Sequence, residues 1–304
     1  MIMRLKLIFL LCFCSLALAQ EPITFPKDHG IHSEQTRESW SFTGEVESEE
    51  GNKYAYMFQL KRKNEKLMIF TNIVDLATKK ELLRYSHTEQ LHITPKHKKI
   101  MQWKVGKAFM KYDSRSDSWI FGLLDENNGF NFRVKGVRNY VLNGKDGYIA
   151  QKTDSKNFEA SYSAQSMYIN GHLTLEGKSI FVTGKNSWFE HHWGTILSRH
   201  HASKYALITC RFNDNTGLML YEWFGSKDFW PIRLKTGTYQ NALDKKVLVS
   251  NFSLIKSTKT HQWFISIPAL KLNISASDDA IPEYDVIQVK KNKEGYCFVT
   301  EKGF

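Results

Sequence analysis

Short runs of alternating apolar and polar residues, separated by turn sequences, most limit how this chain can fold. Residues 53–60 are a clear case, because aromatic side chains recur at every second position from Tyr54 to Phe58. Such alternation is typical of a half-buried antiparallel strand, whose successive side chains point to opposite faces. Residues 49–52 (Glu-Glu-Gly-Asn) predict a hairpin turn before it, with glycine at the permissive position. Similar runs continue without a long helical stripe, so the chain is predicted to be all-β.

The most concentrated chemistry lies in residues 182–194, which read V-T-G-K-N-S-W-F-E-H-H-W-G. No helical apolar stripe fits this run, so it is predicted to be extended. Alternation gives its two faces different side chains: Phe189, His191 and Trp193 on one, and Trp188, Glu190 and His192 on the other. Buried imidazole and carboxylate groups need partners, so the cluster is either a structural network or a site. Glu190 and His192, on one face, form a potential hydrogen-bonded pair.

This run resembles the signature of the AttH-like / carotenoid 1,2-hydratase family of tandem lipocalin-like proteins. The matching positions are Val182, Gly184, Trp188, Glu190, His191, Trp193 and Gly194. Residues 28–32 (D-H-G-I-H) resemble the family's N-terminal D-H-G-x-H run, and residues 38–44 its E-W-W-Y-x-T-G strand, with Ser39 in place of the first Trp. The resemblance implies two lipocalin-like (calycin-type) antiparallel β-barrel domains in tandem.

The first 19 residues are predicted to be a signal peptide. Arg4 and Lys6 make a charged start, residues 7–16 are apolar, and an A-x-A cleavage site ends at Ala19. The mature protein is therefore expected to be exported, to the periplasm or beyond it. The rest is divided into an N-terminal lipocalin-like domain, residues 20–160, and a C-terminal one, residues 161–304, at a polar, turn-rich boundary.

In the second half, Gly171, Gly177 and residues 215–217 predict turns between further strands. The roughly ten strands expected there suit one closed or nearly closed barrel. Outside the signal peptide, the cysteines are Cys210 and Cys297. Export permits a disulfide between them, and two buried thiols in strands are the equally open alternative.

The net charge of +11 could suggest an anionic membrane surface as a partner. The lysines are scattered rather than massed, which favours an ordinary solvated surface. No nucleic-acid-binding motif is present. A role beside an envelope transporter is one open partner hypothesis, and the oligomeric state is left open.

The two His- and Trp-rich blocks supply the candidate ligand-binding residues. Indole rings offer large, rigid apolar surface with one polar group each, which suits a long, apolar ligand such as a polyene or an acyl chain. We therefore predict an exported protein that binds or carries a lipid-like or isoprenoid-like molecule, within or between the barrels. The predicted ligand-binding residues are Asp28, His29, His32, Trp40, Trp188 and Trp193.

The alternative is a hydratase, isomerase or cyclase acting on an isoprenoid or polyene substrate. Hydration of an alkene needs a general acid, a shielded cation and a base for water. Glu190, His191 and Tyr221 are the predicted catalytic residues. The resemblance implies roles for His191 and Trp193 and for a Tyr-x-Asp pair in the next strand, where this chain has Tyr221 but Trp223 in place of the acid. A purely structural network of these side chains, without catalysis, is also left open.

No metal or cofactor is predicted. The pairs His191-His192 and His200-His201 each offer at most one ligand to one site, because adjacent strand residues face opposite sides. The sequence also contains neither a G-x-S-x-G nucleophile elbow nor a glycine-rich phosphate loop.

Overall fold

The computed structural model describes residues 21–91, 101–151, 158–195, 204–224, 233–260, 262–278, 285–289 and 295–302. Within these ranges the chain is built of antiparallel strands and two short 3₁₀ helices, Lys27–His29 and Pro268–Leu270. The predicted signal peptide lies outside the described residues. In the part of the chain that is described, no helix is long and apolar enough to cross a membrane.

The strands fall into two sheets. The first contains β1 (Arg37–Ser48), β2 (Lys53–Lys63), β3 (Lys66–Asp75), β4 (Glu81–Gln90), β5 (Gln102–Val105), β6 (Ala108–Asp113), β7 (Ser118–Leu123), β8 (Gly129–Gly136), β9 (Val141–Leu142), β10 (Tyr148–Gln151), β11 (Phe158–Leu175) and β12 (Lys178–Gly194). The second contains β13 (Lys204–Phe212), β14 (Gly217–Phe224), β15 (Arg233–Gln240), β16 (Lys246–Val249), β17 (Ser253–Lys256), β18 (Trp263–Ile267), β19 (Leu272–Asp278), β20 (Asp285–Val289) and β21 (Gly295–Lys302).

The first sheet forms a nearly closed barrel. Its main path runs β4-β3-β2-β1-β12-β11-β8-β7-β6-β5, with β9 and β10 also paired to β11. Side chains of β4 reach across the gap between the two edge strands of this sheet, β4 and β5. The Tyr85 hydroxyl accepts from the amide of Lys107 at 3.0 Å, and Glu89 accepts from the amide of Gly106 at 3.3 Å. The second sheet has the order β16-β15-β14-β13-β21-β20-β19-β18-β17. The prediction of an all-β chain with two lipocalin-like barrels in tandem is confirmed.

The turn predictions have mixed outcomes. Residues 49–52 connect β1 to β2, and Gly51 has a φ of 84°, as the hairpin requires. Gly177 likewise turns the chain between β11 and β12, with a φ of 75°. The turn predicted at Gly171 was wrong, because this residue lies inside β11. A Cβ atom there would lie 2.0 Å from the carbonyl oxygen of Asn131 on β8, so glycine permits the close approach of the two strands.

Each sheet encloses its own apolar core. Aromatic side chains dominate the first, where Phe42 stacks on Phe121 and Phe189 with ring centroids 4.3 and 4.6 Å apart. Trp263 and Phe212 are fully buried in the second core. A third, smaller apolar cluster joins the sheets and contains Ile149, Trp188, Met219, Tyr221 and Trp223.

Polar contacts also join the two sheets. The hydroxyl of Thr238 accepts a hydrogen bond from the amide of Gly144 at 2.9 Å, and the ammonium of Lys246 donates to the carbonyl of Leu142 at 3.0 Å. The chain passes from the first sheet to the second between Gly194 and Lys204. The predicted domain boundary near residue 160 falls at the beginning of β11 and stays a prediction.

A disulfide links Cys210 on β13 to Cys297 on β21. The two residues are register partners whose Cα atoms lie 4.0 Å apart, and both are fully buried. Of the two alternatives that the sequence left open, the structure contains the bridge. It closes a sequence separation of 87 residues and ties the first strand of the second sheet to the last.

We expect replacement of both cysteines by Ala to lower the free energy of unfolding by about 2–5 kcal/mol, because the long loop is no longer closed in the unfolded chain. Urea unfolding of the oxidised protein and of the C210A/C297A variant measures the difference. Wild-type protein unfolded in the presence of a thiol reductant should match the variant. A variant as stable as the oxidised protein would contradict the prediction.

Candidate functional site

Strand β12 is buried on both faces: one face contacts the core of the first barrel, and the other contacts the apolar cluster between the two sheets. Phe189, His191 and Trp193 point into the core of the first barrel. Glu190 lies on the opposite face with Trp188, which belongs to the apolar cluster between the sheets. The predicted extended run and its alternation are confirmed, and both faces are buried because a second sheet packs outside the first barrel.

The register of three neighbouring strands assembles the inner face. On β1, Trp40 is the partner of His191, and Tyr162 on β11 is the partner of His191 from the other side. Glu38 is opposite Trp193 in the next row. Residues 21–36, here called the cap segment, precede β1 and bring further polar side chains to this end of the barrel. The resulting barrel-end cluster contains Asp28, His29, His32, Glu38, Tyr162 and His191.

His32 joins two carboxylates in this cluster. Its Nδ1 lies 2.7 Å from Oε1 of Glu38, and its Nε2 lies 3.1 Å from Oδ1 of Asp28. Arg62 donates to Oε2 of Glu38 at 3.3 Å and to the carbonyl oxygens of His32 and Gln35. The Arg62 and Glu38 side chains are 1% and 0% exposed, so this is a fully buried ion pair.

These contacts displace the pKa values of the three titratable groups. Burial alone would lower the pKa of His32, but the hydrogen bonds to Asp28 and Glu38 raise it to about 9. Burial alone would raise the pKa of Glu38, but hydrogen bonds from His191 and His32 lower it to about 2. In Asp28, burial is likewise outweighed by the hydrogen bonds from His32 and the Thr24 amide, so its pKa is lowered.

His191 and His29 lie deeper and share one phenol. The Tyr162 hydroxyl is 2.6 Å from Nδ1 of His29 and 3.3 Å from Nδ1 of His191. Nε2 of His191 is 3.0 Å from Oε1 of Glu38, and its Nδ1 is 3.0 Å from the carbonyl oxygen of Asp28. Burial lowers the pKa of His191 to about 4, against the opposing effect of Glu38, and that of His29 to about 3. Burial also raises the pKa of Tyr162 well above its usual value.

Two indoles fix the imidazole rings. Trp193 stacks on His32 with ring centroids 4.0 Å apart and planes 2° apart. Trp40 stacks on His191 at 4.7 Å, and its Nε1 donates to the carbonyl of His29 at 3.1 Å. Stacking of this kind leaves each ring little freedom to rotate, so the cluster is rigid on both sides.

The outer face of β12 forms a second group, the inter-sheet cluster of Glu159, Ser161, Glu190, His192 and Tyr221. Nε2 of His192 lies 2.7 Å from Oε2 of Glu159, and Ser161 donates to Glu190 at 3.3 Å. The hydrogen-bonded pair predicted between Glu190 and His192 was therefore wrong. Strand register explains why His192 pairs with Glu159 instead of Glu190. Ser161 on β11 is the register partner of His192, and Glu159, two residues before it, lies on the same face of β11.

Burial raises the pKa of Glu190, although His192 and Ser161 act in the opposite direction. Burial and the nearby Glu159 raise the pKa of Tyr221. The His192 ring meets the Tyr221 ring edge-on, with centroids 6.4 Å apart. The cluster thus combines a buried carboxyl with a raised pKa, an imidazole–carboxylate pair and a phenol.

The structure separates the predicted catalytic residues. Glu190 and Tyr221 belong to the inter-sheet cluster, whereas His191 faces the interior of the first barrel on the other side of β12. Of the predicted ligand-binding residues, Trp188 lies with the inter-sheet cluster. The other five lie around the barrel-end cluster: Asp28, His29, His32, Trp40 and Trp193.

Sequence reasoning did not select Glu38, Arg62, Tyr162 or Glu159. Glu38 stands in the E-W-W-Y-like run, which was a usable signal. Tyr162 and Glu159 come from β11, and only register shows that they adjoin β12. Arg62 lies on β2 as the partner of Glu38, within a run of lysines that suggests a solvated edge.

The interior of the first barrel is filled rather than hollow. Trp40, Phe42, Phe58 and Phe121 are fully buried and in mutual ring contacts with their neighbours. Beside them lies a minute cavity with no room even for a water molecule, lined by Phe58, Leu60, Ile69, Trp103, Val105, Ala108, Phe109 and Met110. Ligand pockets of drug-sized molecules occupy roughly 300–1,000 Å³, so this cavity does not match a polyene or an acyl chain.

Among the described residues, three could hold a metal ion together. Ligand atoms of His32, Glu38 and His191 all lie within 4.8 Å of one another. They come from the cap segment, β1 and β12, and the set was not visible in sequence because its members are far apart in the chain.

Comparison with known proteins identifies relatives of the fold. A family model described as AttH-like matches residues 16–279. A solved structure described as AttH from Nitrosomonas europaea is similar to this chain with a TM-score of 0.75 and 14% identity, covering 93% of this chain and 98% of that one. Kievitone hydratase from Nectria haematococca is similar with a TM-score of 0.72 and 13% identity, covering 93% of each chain.

A more distant likeness is to CghA, solved with Sch210972, at a TM-score of 0.51 and 8% identity over 88% of each chain. At these identities the likeness concerns the fold. No curated protein matches the sequence.

Proposed function

The chain belongs to the AttH-like family, and on this premise we propose that it is an acid–base enzyme of the hydratase or cyclase kind. Its substrate would be a small, largely apolar molecule with an isolated double bond. The observation that carries the proposal is the inter-sheet cluster, where a buried Glu190 lies beside an imidazole–carboxylate pair and aromatic rings. A hydratase with the same fold, kievitone hydratase, supports it.

Glu190 is the proposed general acid. The Glu190 residue is 6% exposed, and its carboxyl accepts a hydrogen bond from the Ser161 hydroxyl at 3.3 Å. Burial raises the pKa of this carboxyl, and in the proposed reaction its protonated form delivers the proton to a double bond. No cationic side chain forms an ion pair with Glu190 among the described residues.

His192 is the proposed base for the attacking water. Its Nε2 lies 2.7 Å from Oε2 of Glu159, and in the tautomer with the N–H on that side the lone pair of Nδ1 can accept a proton. A carboxylate behind an imidazole fixes its tautomer and stabilises the imidazolium that forms. His192 is 9% exposed, and we place the attacking water on this side of the cluster.

Aromatic rings complete the environment. Trp188 and Tyr221 belong to the apolar cluster between the sheets, and their ring faces can stabilise a cation. Tyr205, Leu207 and Leu234 pack on the same cluster and are only partly buried. We propose that an apolar substrate approaches Glu190 along these partly buried side chains.

The proposed hydration balances in three transfers. Glu190 gives its proton to one alkene carbon, and the neighbouring carbon becomes a cation. Water forms a C–O bond to that carbon and gives a proton to His192. Transfer of a proton from His192 to Glu190 restores both groups, so the net change is addition of one water molecule. An internal hydroxyl in place of water would give a cyclic ether, as in a cyclase.

Mass spectrometry tests the reaction directly. The purified protein is incubated with a panel of prenylated aromatic compounds and linear isoprenoid alkenes in heavy-oxygen water. A hydrated product gains the mass of one labelled water, and a cyclised product keeps the mass but elutes differently. The absence of either product from this substrate class would overturn the proposal.

With a substrate identified, E190Q should lower kcat by about 10²–10⁴-fold, because the amide cannot supply the proton. E222Q is the matched control: Glu222 is also buried, but it pairs with Lys235 and lies on the other face of β14. E222Q should keep kcat close to that of the wild type. Equal losses in both variants, or full activity of E190Q, would contradict the role of Glu190.

The alternative of a lipid carrier lacks support from the first barrel, whose interior is filled by aromatic side chains. Export remains part of the proposal. The buried disulfide supports it, because such bridges persist in oxidising compartments. A partnership with an envelope transporter or a membrane surface stays a prediction.

A further inference from the structure

Two imidazole rings in the barrel-end cluster converge on one carboxylate oxygen. Nδ1 of His32 lies 2.7 Å from Oε1 of Glu38, and Nε2 of His191 lies 3.0 Å from the same atom. The remaining nitrogen of each ring faces Asp28: Nε2 of His32 is 3.1 Å from its carboxylate, and Nδ1 of His191 is 3.0 Å from its carbonyl oxygen. All four nitrogens therefore face oxygen atoms of an ionised or carbonyl group.

The hydrogen atoms available do not match these four contacts. Carboxylate and carbonyl oxygens only accept, whereas a neutral imidazole carries a single N–H. Two neutral rings supply two hydrogens for four contacts. If His32 is doubly protonated, Nε2 of His191 can donate to Glu38 and its Nδ1 can accept from the Tyr162 hydroxyl at 3.3 Å. The carbonyl oxygen of Asp28, which is nearer to Nδ1 at 3.0 Å, then still faces a lone pair. Protonating both rings would put two cations side by side in a buried site, with ring centroids 5.5 Å apart.

One divalent cation resolves the mismatch. We propose that the barrel-end cluster binds a single zinc-like divalent transition-metal ion through Nδ1 of His32, Oε1 of Glu38 and Nε2 of His191. Two imidazoles and one carboxylate form a donor set suited to zinc and to neighbouring first-row metals. The expectation of no metal site considered only the adjacent histidine pairs, whereas these ligands come from three separate elements.

The surroundings already have the arrangement that metal ligands need. Histidine ligands usually donate their second N–H to a carboxylate or a backbone carbonyl, which fixes the tautomer and the ring orientation. Asp28 supplies both acceptors, one to each ring. Arg62 bonds Oε2 of Glu38, whereas Oε1 faces the two imidazoles and also accepts from the His32 amide at 3.0 Å. The rings are further held by stacking on Trp193 and Trp40.

The ion would connect the cap segment to the barrel. His32 belongs to the cap segment, whereas Glu38 and His191 belong to β1 and β12. The site is distinct from the inter-sheet cluster, since His191 points away from Glu190 across β12. The metal proposal therefore stands or falls independently of the proposed reaction.

Cobalt(II) is a suitable probe, because its visible absorption reports coordination number. Protein stripped with a chelator and returned to metal-free buffer should bind one equivalent with a four- or five-coordinate spectrum. H32Q should abolish this band, and D28A should weaken binding by about 10–100-fold through loss of the outer hydrogen bond to His32. H87Q is the matched control, because His87 is an exposed histidine of the same barrel that lies 3.8 Å from Glu89. It should bind like the wild type.

A spectrum that H32Q leaves unchanged, or that H87Q removes, would mean surface binding and overturn the proposal. X-ray absorption of the zinc-loaded wild-type protein gives an answer that requires no variant. We expect two imidazole ligands with Zn–N distances of about 2.0–2.1 Å. Fewer than two imidazoles, or no stoichiometric zinc at all, would overturn the assignment.

Discussion

Replacement of Arg62 by Met should lower the free energy of unfolding by about 3–5 kcal/mol. The variant removes the guanidinium from Glu38 while leaving that carboxylate buried. It also removes donors from the carbonyl oxygens of His32 and Gln35, which Arg62 contacts at 2.9 and 2.8 Å. Glu38 keeps its contacts with His32 and His191. A buried charge that loses its guanidinium partner still costs more than the intact pair contributes, and this asymmetry produces the large effect.

Urea unfolding in the presence of a chelator measures the loss without any contribution from bound metal. R133M is the matched control. Arg133 also forms an ion pair, with Asp113 at 3.4 Å, but its side chain is 45% exposed. Exposed pairs contribute about 0–1 kcal/mol, so R133M should remain near the wild type. If R62M and R133M lower the free energy of unfolding by similar amounts, the predicted effect of burying the Arg62 ion pair is contradicted.

Replacement of Trp40 by Ala should cost about 3–5 kcal/mol of unfolding free energy. The indole is fully buried, stacks on His191 and lies 5.6 Å from the ring of Trp103. Truncation leaves a large void in a closely packed aromatic core, and it also removes the hydrogen bond to the carbonyl of His29. The cap segment should loosen together with the core.

Thermal and urea unfolding provide the measurement, and amide exchange of the cap segment gives a second readout. L243A is the control, because Leu243 is 88% exposed and its truncation should change stability by no more than about 0.5 kcal/mol. A W40A variant that unfolds like L243A would contradict the packing described for this end of the barrel.

Much of the fold could be read from local patterns. Alternation in residues 53–60 identified β2, and residues 49–52 identified its hairpin. The same reasoning assigned the two faces of β12 correctly, because side-chain direction in a strand depends only on position along that strand. Gly171 shows where prediction from local sequence fails. It lies inside β11, and glycine is needed there because the backbone of β8 approaches it closely, not because the chain turns.

The candidate site was harder to read, because its residues meet through register and sheet packing. The sequence placed Glu190, His191 and Tyr221 in one site. In the structure Glu190 and Tyr221, which is on β14, lie on the outer side of β12, and His191 lies on the inner side. Glu159 replaces Glu190 as the partner of His192, and Glu38 joins His32 to His191. These pairings join residues up to 153 positions apart, which no local period encodes.

By itself, the sequence determined that the chain is made of strands, where several of its turns lie and which side chains of β12 share a face. Those properties follow from backbone geometry over a few residues. Only the tertiary structure decided that β12 lies between β1 and β11, that its outer face meets the second sheet and that Cys210 meets Cys297. Strand pairing joins residues that are far apart in the chain. The pairing that forms is the one that buries the apolar side chains and satisfies the backbone hydrogen bonds at the same time.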